Sequence, residues 1–157
     1  MKAATWISSP VGTLKLAEES GAITELRFEE WDGKTPKEET ELLSRAKREL
    51  GEYFAGQRRE FTLPLAPAGT EFRRRVWDAL LTIPYGETRS YGEIAALIGS
   101  PKASRAVGSA NHNNPISIFI PCHRVIGANG ALTGYGGGLE VKRALLALEQ
   151  KDRTQRK

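Results

Sequence analysis

The stretch "SYGEIAALIGSPKASRAVGSANHNNP", residues 90 to 115, constrains the fold more than any other part of the chain. Ser90 followed by Glu93 is a capping box, in which each residue satisfies a backbone N–H of the other. It predicts a short helix through Ile98, broken by Gly99. Ser100 and Pro101 then supply an N-cap and a first-turn proline for a second helix. In that helix Ala103, Ala106, Val107 and Ala110 recur at i, i+3, i+4 and i+7. Two helices across so tight a turn are either a helix-turn-helix or an ordinary packed pair. The second helix is small on nearly every side, with Ser104, Gly108 and Ser109 among its alanines, and one long cation, Arg105, projects from it. Glycine costs helix stability, so its use here points to close approach by a neighbour, whether protein or a nucleic-acid groove.

The flanking segments set the domain plan. "TLKLAE" and "AITELRF" alternate apolar and polar residues after turn signals and read as strands. Residues 40–54 place Leu42, Leu43, Ala46, Leu50 and Phe54 at helical spacing, and "EFTLPL" reads as one more strand. "APAG", residues 66–69, marks a boundary. Beyond it "TEFRRRVWDALLTI" is helical until Pro84 and Gly86. "ISIFI" reads as a buried strand leading to Pro121-Cys122-His123. "VIGANGALTGY" reads as a hairpin about Asn129-Gly130. "LEVKRALLALEQ" closes as a helix with Val141, Ala144, Leu145 and Leu148 inward, and "KDRTQRK" reads as a frayed tail. The expected fold is α+β: a small N-terminal sheet-plus-helix domain over 1–68, then a mainly helical domain over 69–157, with a helix-turn-helix and a short hairpin at the candidate active site.

Charge is divided unevenly. Residues 1–68 hold 10 Lys+Arg against 12 Asp+Glu, and the rest of the chain holds 13 against 7. The basic half also carries the only cysteine, and such asymmetry fits a polyanion partner as well as a merely solvated surface. One cysteine forms no internal disulfide, and no signal-peptide pattern or long apolar run is present, so a cytoplasmic protein is expected.

Chemistry concentrates in "IPCHRV", residues 120–125. A thiolate is the nucleophile, and a histidine that takes the thiol proton raises its fraction. Neighbours on an ideal strand point to opposite faces, so Cys122 and His123 share a site only where the backbone turns. An imidazole base needs an acceptor on its second nitrogen. Of the carboxylates in the basic half, Glu149 stands out, because Leu145, Leu146 and Leu148 surround it and a buried acid must be paired. One cysteine and two histidines give at most three zinc ligands at a spacing that fits no zinc motif, so no metal is expected. The cysteine is then an inert core filler, a hydrolase nucleophile, or a group-transfer thiol. An alkyl group on sulfur gives a thioether, which neither water nor a second thiol readily cleaves, and the lack of another cysteine suits a thiol used once.

These motifs, "IPCHRV" preceded by "NP" and followed by "GYGGGLEVKRALLALE", with "GETRSYGEIAALIG" and "RAVGSA" upstream, resemble those of the O6-alkylguanine-DNA alkyltransferase family, the methylated-DNA–protein-cysteine methyltransferases. The resemblance is strong over 69–150 and looser over 1–68, through "SPVGTL" and "EYFAG". It implies that Cys122 accepts an alkyl group from guanine O6, with thymine O4 a second target, in a single-turnover transfer that needs no cofactor. It implies His123 as base through a water, Glu149 as its orienting partner, Tyr91 as donor to the leaving base, and Asn114 as support of the active-site loop. It further implies that Arg105 fills the stack behind a flipped nucleotide in double-stranded DNA. Ser104, Gly108 and Ser109 would line the approach to the minor groove, and Tyr135, Gly136, Gly137 and Gly138 would wall the base pocket. A monomer is expected.

The chain departs from some relatives, which carry serine at the place of Gly136, proline at the place of Ser117, and zinc ligands in the N-terminal domain. Relatives that only sense lesions replace the cysteine. A helix-turn-helix DNA binder or lesion sensor without transfer activity is the alternative reading.

Overall fold

The computed structural model describes residues 2–132, 135 and 137–155, with side chains described through Lys151. The chain divides into two compact units, Met1–Pro67 and Ala68–Lys157.

In the first unit, three strands, β1 (Lys2–Ser9), β2 (Gly12–Glu19) and β3 (Ala22–Phe28), form an antiparallel meander in that order. Ser20 and Gly21 between β2 and β3 both have positive φ, at 54° and 82°. That is the two-residue turn whose twist matches the paired strands. Leu14, Leu16, Ile23 and Leu26 are all 0% exposed; the pleat pairs Leu14 with Leu16, and a bulge at the Ala17/Glu18 register shift brings Ile23 to the face of Leu26. Helix α1 (Glu41–Phe54), capped by the Thr40 hydroxyl, packs on this sheet through Leu43, Ala46, Leu50 and Tyr53. "EFTLPL" does not form a strand: only Leu65 bridges to Ile23. Pro64 lacks the N–H that a longer ladder would need.

The second unit opens with α2 (Glu71–Leu80), which buries Val76, Trp77, Ala79 and Leu80. Trp77 is 1% exposed and its indole N–H donates to the Ala110 carbonyl at 2.8 Å. A Cβ at Gly69 would stand 2.5 Å from the Trp77 ring, so only glycine fits there. Next come β4 (Arg89–Ser90), α3 (Tyr91–Leu97) and α4 (Ser104–His112). The Ser90–Glu93 capping box is complete. The start of α4 differs from the sequence reading. Ala103 N–H donates to the Ser100 carbonyl at 2.9 Å, so Pro101 lies in a turn before the helix and Ala103 is the N-cap. Proline's fixed φ suits the second position of such a turn. The buried face of α4 is Val107, Ala110 and Asn111, while Ala106 is exposed.

Two expectations about the segment after α4 are corrected. "ISIFI" is a buried double bend, not a strand. Phe119 N–H donates to the Ser117 carbonyl at 2.8 Å across Ile118, whose φ is 71°. This γ-turn has a β-branched residue in the left-handed region, a costly conformation that its surroundings must hold. Asn114 does so: its Oδ1 accepts from Ile116 N–H and its Nδ2 donates to the Ile120 carbonyl, both at 2.9 Å. Secondly, the expected hairpin is absent among the described residues. β5 (Val125–Ile126) pairs in parallel with β4, Arg89 opposite Val125 and Ser90 opposite Ile126. The turn about Asn129-Gly130 exists, but Gly127 N–H donates to the Ala131 carbonyl and closes it at once into a tight loop.

Helix α5 (Leu139–Gln155) closes the unit and takes in residues read from sequence as a tail. Its buried face is Lys142, Leu145 and Glu149, with Ala144 exposed. The core holds Leu80, Ile94, Val107, Ile116, Val125 and Leu145, each at most 1% exposed. Such side chains contribute about 1.5–3 kcal/mol each on burial. No helix among the described residues is long and apolar enough to cross a membrane.

Candidate active site

Cys122, His123 and Arg124 form one turn of 3₁₀ helix, and all three are buried. Pro121, at φ −79° and ψ 62°, is the centre of an inverse γ-turn in which Cys122 N–H donates to the Ile120 carbonyl at 2.7 Å. Successive side chains on a 3₁₀ turn diverge by about 120° instead of lying on opposite faces. The turn that the Cys-His pair required is therefore present.

His123 is 0% exposed, and its Nε2 lies 2.8 Å from Glu149 Oε2. Arg124 forks the same carboxylate, Nε to Oε1 at 2.9 Å and Nη2 to Oε2 at 3.0 Å, and its Nη1 donates to the Ile83 carbonyl. Gly86 N–H adds a further bond to Glu149 Oε1 at 3.2 Å. Burial alone would raise the Glu149 carboxyl, but the bonds from His123 and Arg124 outweigh it and hold the group ionised, well below the usual range. Burial pushes His123 down more than Glu149 pulls it up, so the imidazole is neutral at rest. A neutral ring facing an ionised carboxylate carries its proton on Nε2, and Nδ1 is then the free lone pair. His123 Nδ1 has no hydrogen-bond partner among the described residues. That nitrogen belongs to the residue that follows Cys122 in the same turn.

These shifts predict acid lability. Above the ordinary histidine value of 6.5 the site is fully stabilising. As pH falls below that value the unfolded chain takes up a proton that the buried His123 refuses, so stability declines. Below the ordinary carboxyl value of 4.5 the unfolded chain protonates before Glu149 does, and a second loss follows. Thermal midpoints of the second unit, followed by the fluorescence of Trp77 with Trp6 and Trp31 replaced by phenylalanine, should fall through both windows; a flat midpoint across them would contradict this electrostatic assignment.

Cys122 is 3% exposed. Burial pushes its thiol up, against hydrogen bonds from Asn114 and Ser117 and the nearby Lys142 ammonium. Asn111, from α4, donates to the Cys122 carbonyl at 3.3 Å and ties the helix pair to the cysteine turn. Tyr135 is buried, and burial, then the charge of the sulfur, keeps the phenol well above its ordinary value and protonated.

The remaining candidates lie along α3, α4 and the start of α5. Tyr91 opens α3, and its ring lies beside Gly108, where an added Cβ would stand 3.8 Å away, in ordinary contact. A Cβ at Gly92 would stand 3.8 Å from the Ser104 hydroxyl. Arg105 and Ser109 are exposed, and Ser104 and Gly108 are half-buried. Gly137 is half-buried, and Gly138, at φ 96°, donates to the Tyr135 carbonyl. Gly136 lies outside the described residues.

Sequence reasoning missed Arg124, Lys142, Asn111 and Ser117 as site residues. Lys142 is 0% exposed on the face of α5 shared with Leu145 and Glu149. The i, i+3, i+7 spacing would have found it had a charged residue been admitted to a buried stripe.

Residues 71–151 match the family described as "6-O-methylguanine DNA methyltransferase, DNA binding domain", and residues 3–67 match its "ribonuclease-like domain". The chain belongs to the 6-O-methylguanine DNA methyltransferase family. A methylated-DNA–protein-cysteine methyltransferase of Mycolicibacterium paratuberculosis is 54% identical over 149 residues, covering 92% of this chain and 90% of that protein. The constitutive methylated-DNA–protein-cysteine methyltransferase of Bacillus subtilis is 53% identical over 155 residues, covering 93% and 94%. Among solved structures, Mycobacterium tuberculosis OGT in complex with DNA superposes with a TM-score of 0.88 at 54% identity, covering 96% of this chain and 94% of that one. The 6-O-methylguanine DNA methyltransferase fold is thus shared along nearly the whole chain, not only around the cysteine.

Proposed function

We propose that this protein repairs DNA by moving an alkyl group from guanine O6, and from thymine O4, to its own Cys122. The observation that carries the reading is the buried turn in which Cys122 precedes a histidine held by an Arg124-clamped Glu149. The thiol proton passes to His123 Nδ1, through a water. The Sγ–carbon bond then forms as the carbon–O6 bond breaks, and the electron pair leaves with the base. Tyr91 supplies a hydrogen bond or proton as charge develops on the ring. The product is a thioether, so each molecule acts once. Asn114 keeps the cysteine segment folded. No cofactor enters these steps.

DNA is the partner this reading requires. An O6 alkyl group is out of reach inside a duplex, so the nucleotide must leave the stack at a cost of about a few kcal/mol. Arg105, exposed in the first turn of α4, fills the gap. The small Ser104, Gly108 and Ser109 let that helix approach the minor groove, whose degenerate code suits a protein that must ignore sequence. Tyr135, Gly137 and Gly138 wall the base pocket. The second unit carries both DNA binding and transfer, and the protein works as a cytoplasmic monomer. Incubation with a duplex containing O6-methylguanine, followed by mass analysis of the Cys122 peptide, tests this. Sequence-selective binding without an adduct would favour a DNA binder or lesion sensor instead.

A further inference from the structure

Asn111 is a buried polar residue outside the proton path from Cys122 to His123 and Glu149. It stands on the inward face of α4 with Val107 and Ala110 and is 3% exposed. Its Nδ2 donates to the Cys122 carbonyl at 3.3 Å. That carbonyl also accepts from Val125 N–H, the bond that closes the 3₁₀ turn. Three residues beyond Asn111, Asn114 Nδ2 donates to the Ile120 carbonyl at 2.9 Å, which also accepts from Cys122 N–H. Two amides, one in the last turn of α4 and one just past it, therefore grip the cysteine turn at Ile120 and at Cys122.

The Asn111 amide is satisfied on one side alone. Its Oδ1 is buried with no hydrogen-bond partner among the described residues. A buried acceptor left unpaired costs at least as much as one ordinary hydrogen bond returns, so an apolar side chain of similar size would serve the fold as well or better. What the amide adds is a fixed hold of α4 on the residue that carries the thiol. The same helix is tied to α2, where Trp77 donates to the Ala110 carbonyl at 2.8 Å. It carries exposed Arg105 in its first turn and Asn111 in its last, about 9 Å apart along the axis.

We propose that Asn111 is a positioning residue for alkyl transfer in duplex DNA, which fixes the Cys122 turn to α4 so that a nucleotide displaced beside that helix meets the sulfur in register. This rests on Cys122 being the alkyl acceptor and on α4 facing the duplex. In-line displacement is sensitive to alignment, and a misplacement of about 1 Å set up away from the reacting atoms costs about 10²-fold. A free base is not anchored to α4 through a duplex, so it needs no such register.

The test compares full-length wild type, Asn111→Leu and Asn111→Ala. Asn114 and the Val125 bond remain in both variants, so the turn still forms. Both should bind an O6-methylguanine duplex as wild type does, yet transfer methyl from saturating duplex about 10–100-fold more slowly. Their rates with free O6-benzylguanine should match wild type. So should iodoacetamide labelling by intact mass, which reports Cys122 alone because the chain has one cysteine. Asn111→Leu should melt no lower than wild type, because the unpaired acceptor leaves with the amide. Wild-type transfer from saturating duplex in both variants would overturn the proposal. Equal losses on duplex and free base would also overturn it, since they mark a packing role, as would weaker duplex binding with an unchanged saturating rate, which marks a DNA contact. A wild type that takes up neither methyl nor benzyl would remove the repair reading, and this assignment with it, before any variant is compared.

Discussion

Glu149→Gln should slow methyl transfer by about 10²–10⁴-fold, the range that a positioned proton acceptor contributes. The substitution keeps shape, so the loss comes from the charge and from one acceptor oxygen. With the carboxylate ionised, His123 keeps its proton on Nε2 and offers Nδ1 to the thiol. An amide can donate as well as accept, which permits the opposite tautomer, with Nδ1 protonated and useless as a base. The same change replaces one of the two acceptor oxygens of the Arg124 fork with an amide nitrogen and removes the charge opposite the guanidinium. Breaking one partner of a buried ion pair leaves an uncompensated charge and destabilises by about 3–5 kcal/mol. Thermal melts and single-turnover rates on the same preparation separate the two effects. A stable variant that transfers methyl at the wild-type rate would show that Glu149 neither orients the base nor clamps the turn.

Arg105→Ala should distinguish reaching the lesion from reacting with it. Arg105 is exposed on α4, away from the buried Cys122 turn in burial and in chain position. If it fills the stack behind a flipped nucleotide, its loss removes part of the compensation for unstacking. A loss of about 2–3 kcal/mol corresponds to roughly 30–160-fold in rate. Free O6-benzylguanine needs no flipping, so its reaction with the variant should stay near wild type. Equal losses on duplex and free base would argue against a flipping role and place Arg105 in the chemistry or in general stability.

The parts of this structure that depend on local sequence were the most legible. The capping box of α3 lies within four residues, and the turn signals of the first sheet lie within two or three. Glu149 could be picked out because an acid amid leucines must be exposed or paired. The errors came from partners far along the chain. Val125 and Ile126 pair with Arg89 and Ser90 rather than with a neighbour across a turn. "ISIFI" has the composition of a strand, and the Asn114 side chain, bonded at both ends of it, holds it bent together with the Ile120 N–H bond to the Ile116 carbonyl. Gly86 meets Glu149 across 63 residues, and no local pattern announces that bond. Lys142 was overlooked because lysine is almost never fully buried without a partner, so a helical pattern reads it as solvated.

The most direct test of the central claim is the mass of the tryptic peptide that holds Cys122, after full-length protein meets a duplex carrying a single O6-methylguanine. The account predicts that this peptide alone becomes heavier by one methyl group, in proportion to lesion consumed, and that no further lesion is repaired once the protein is used. An unmodified Cys122 peptide from folded, DNA-bound protein would contradict it.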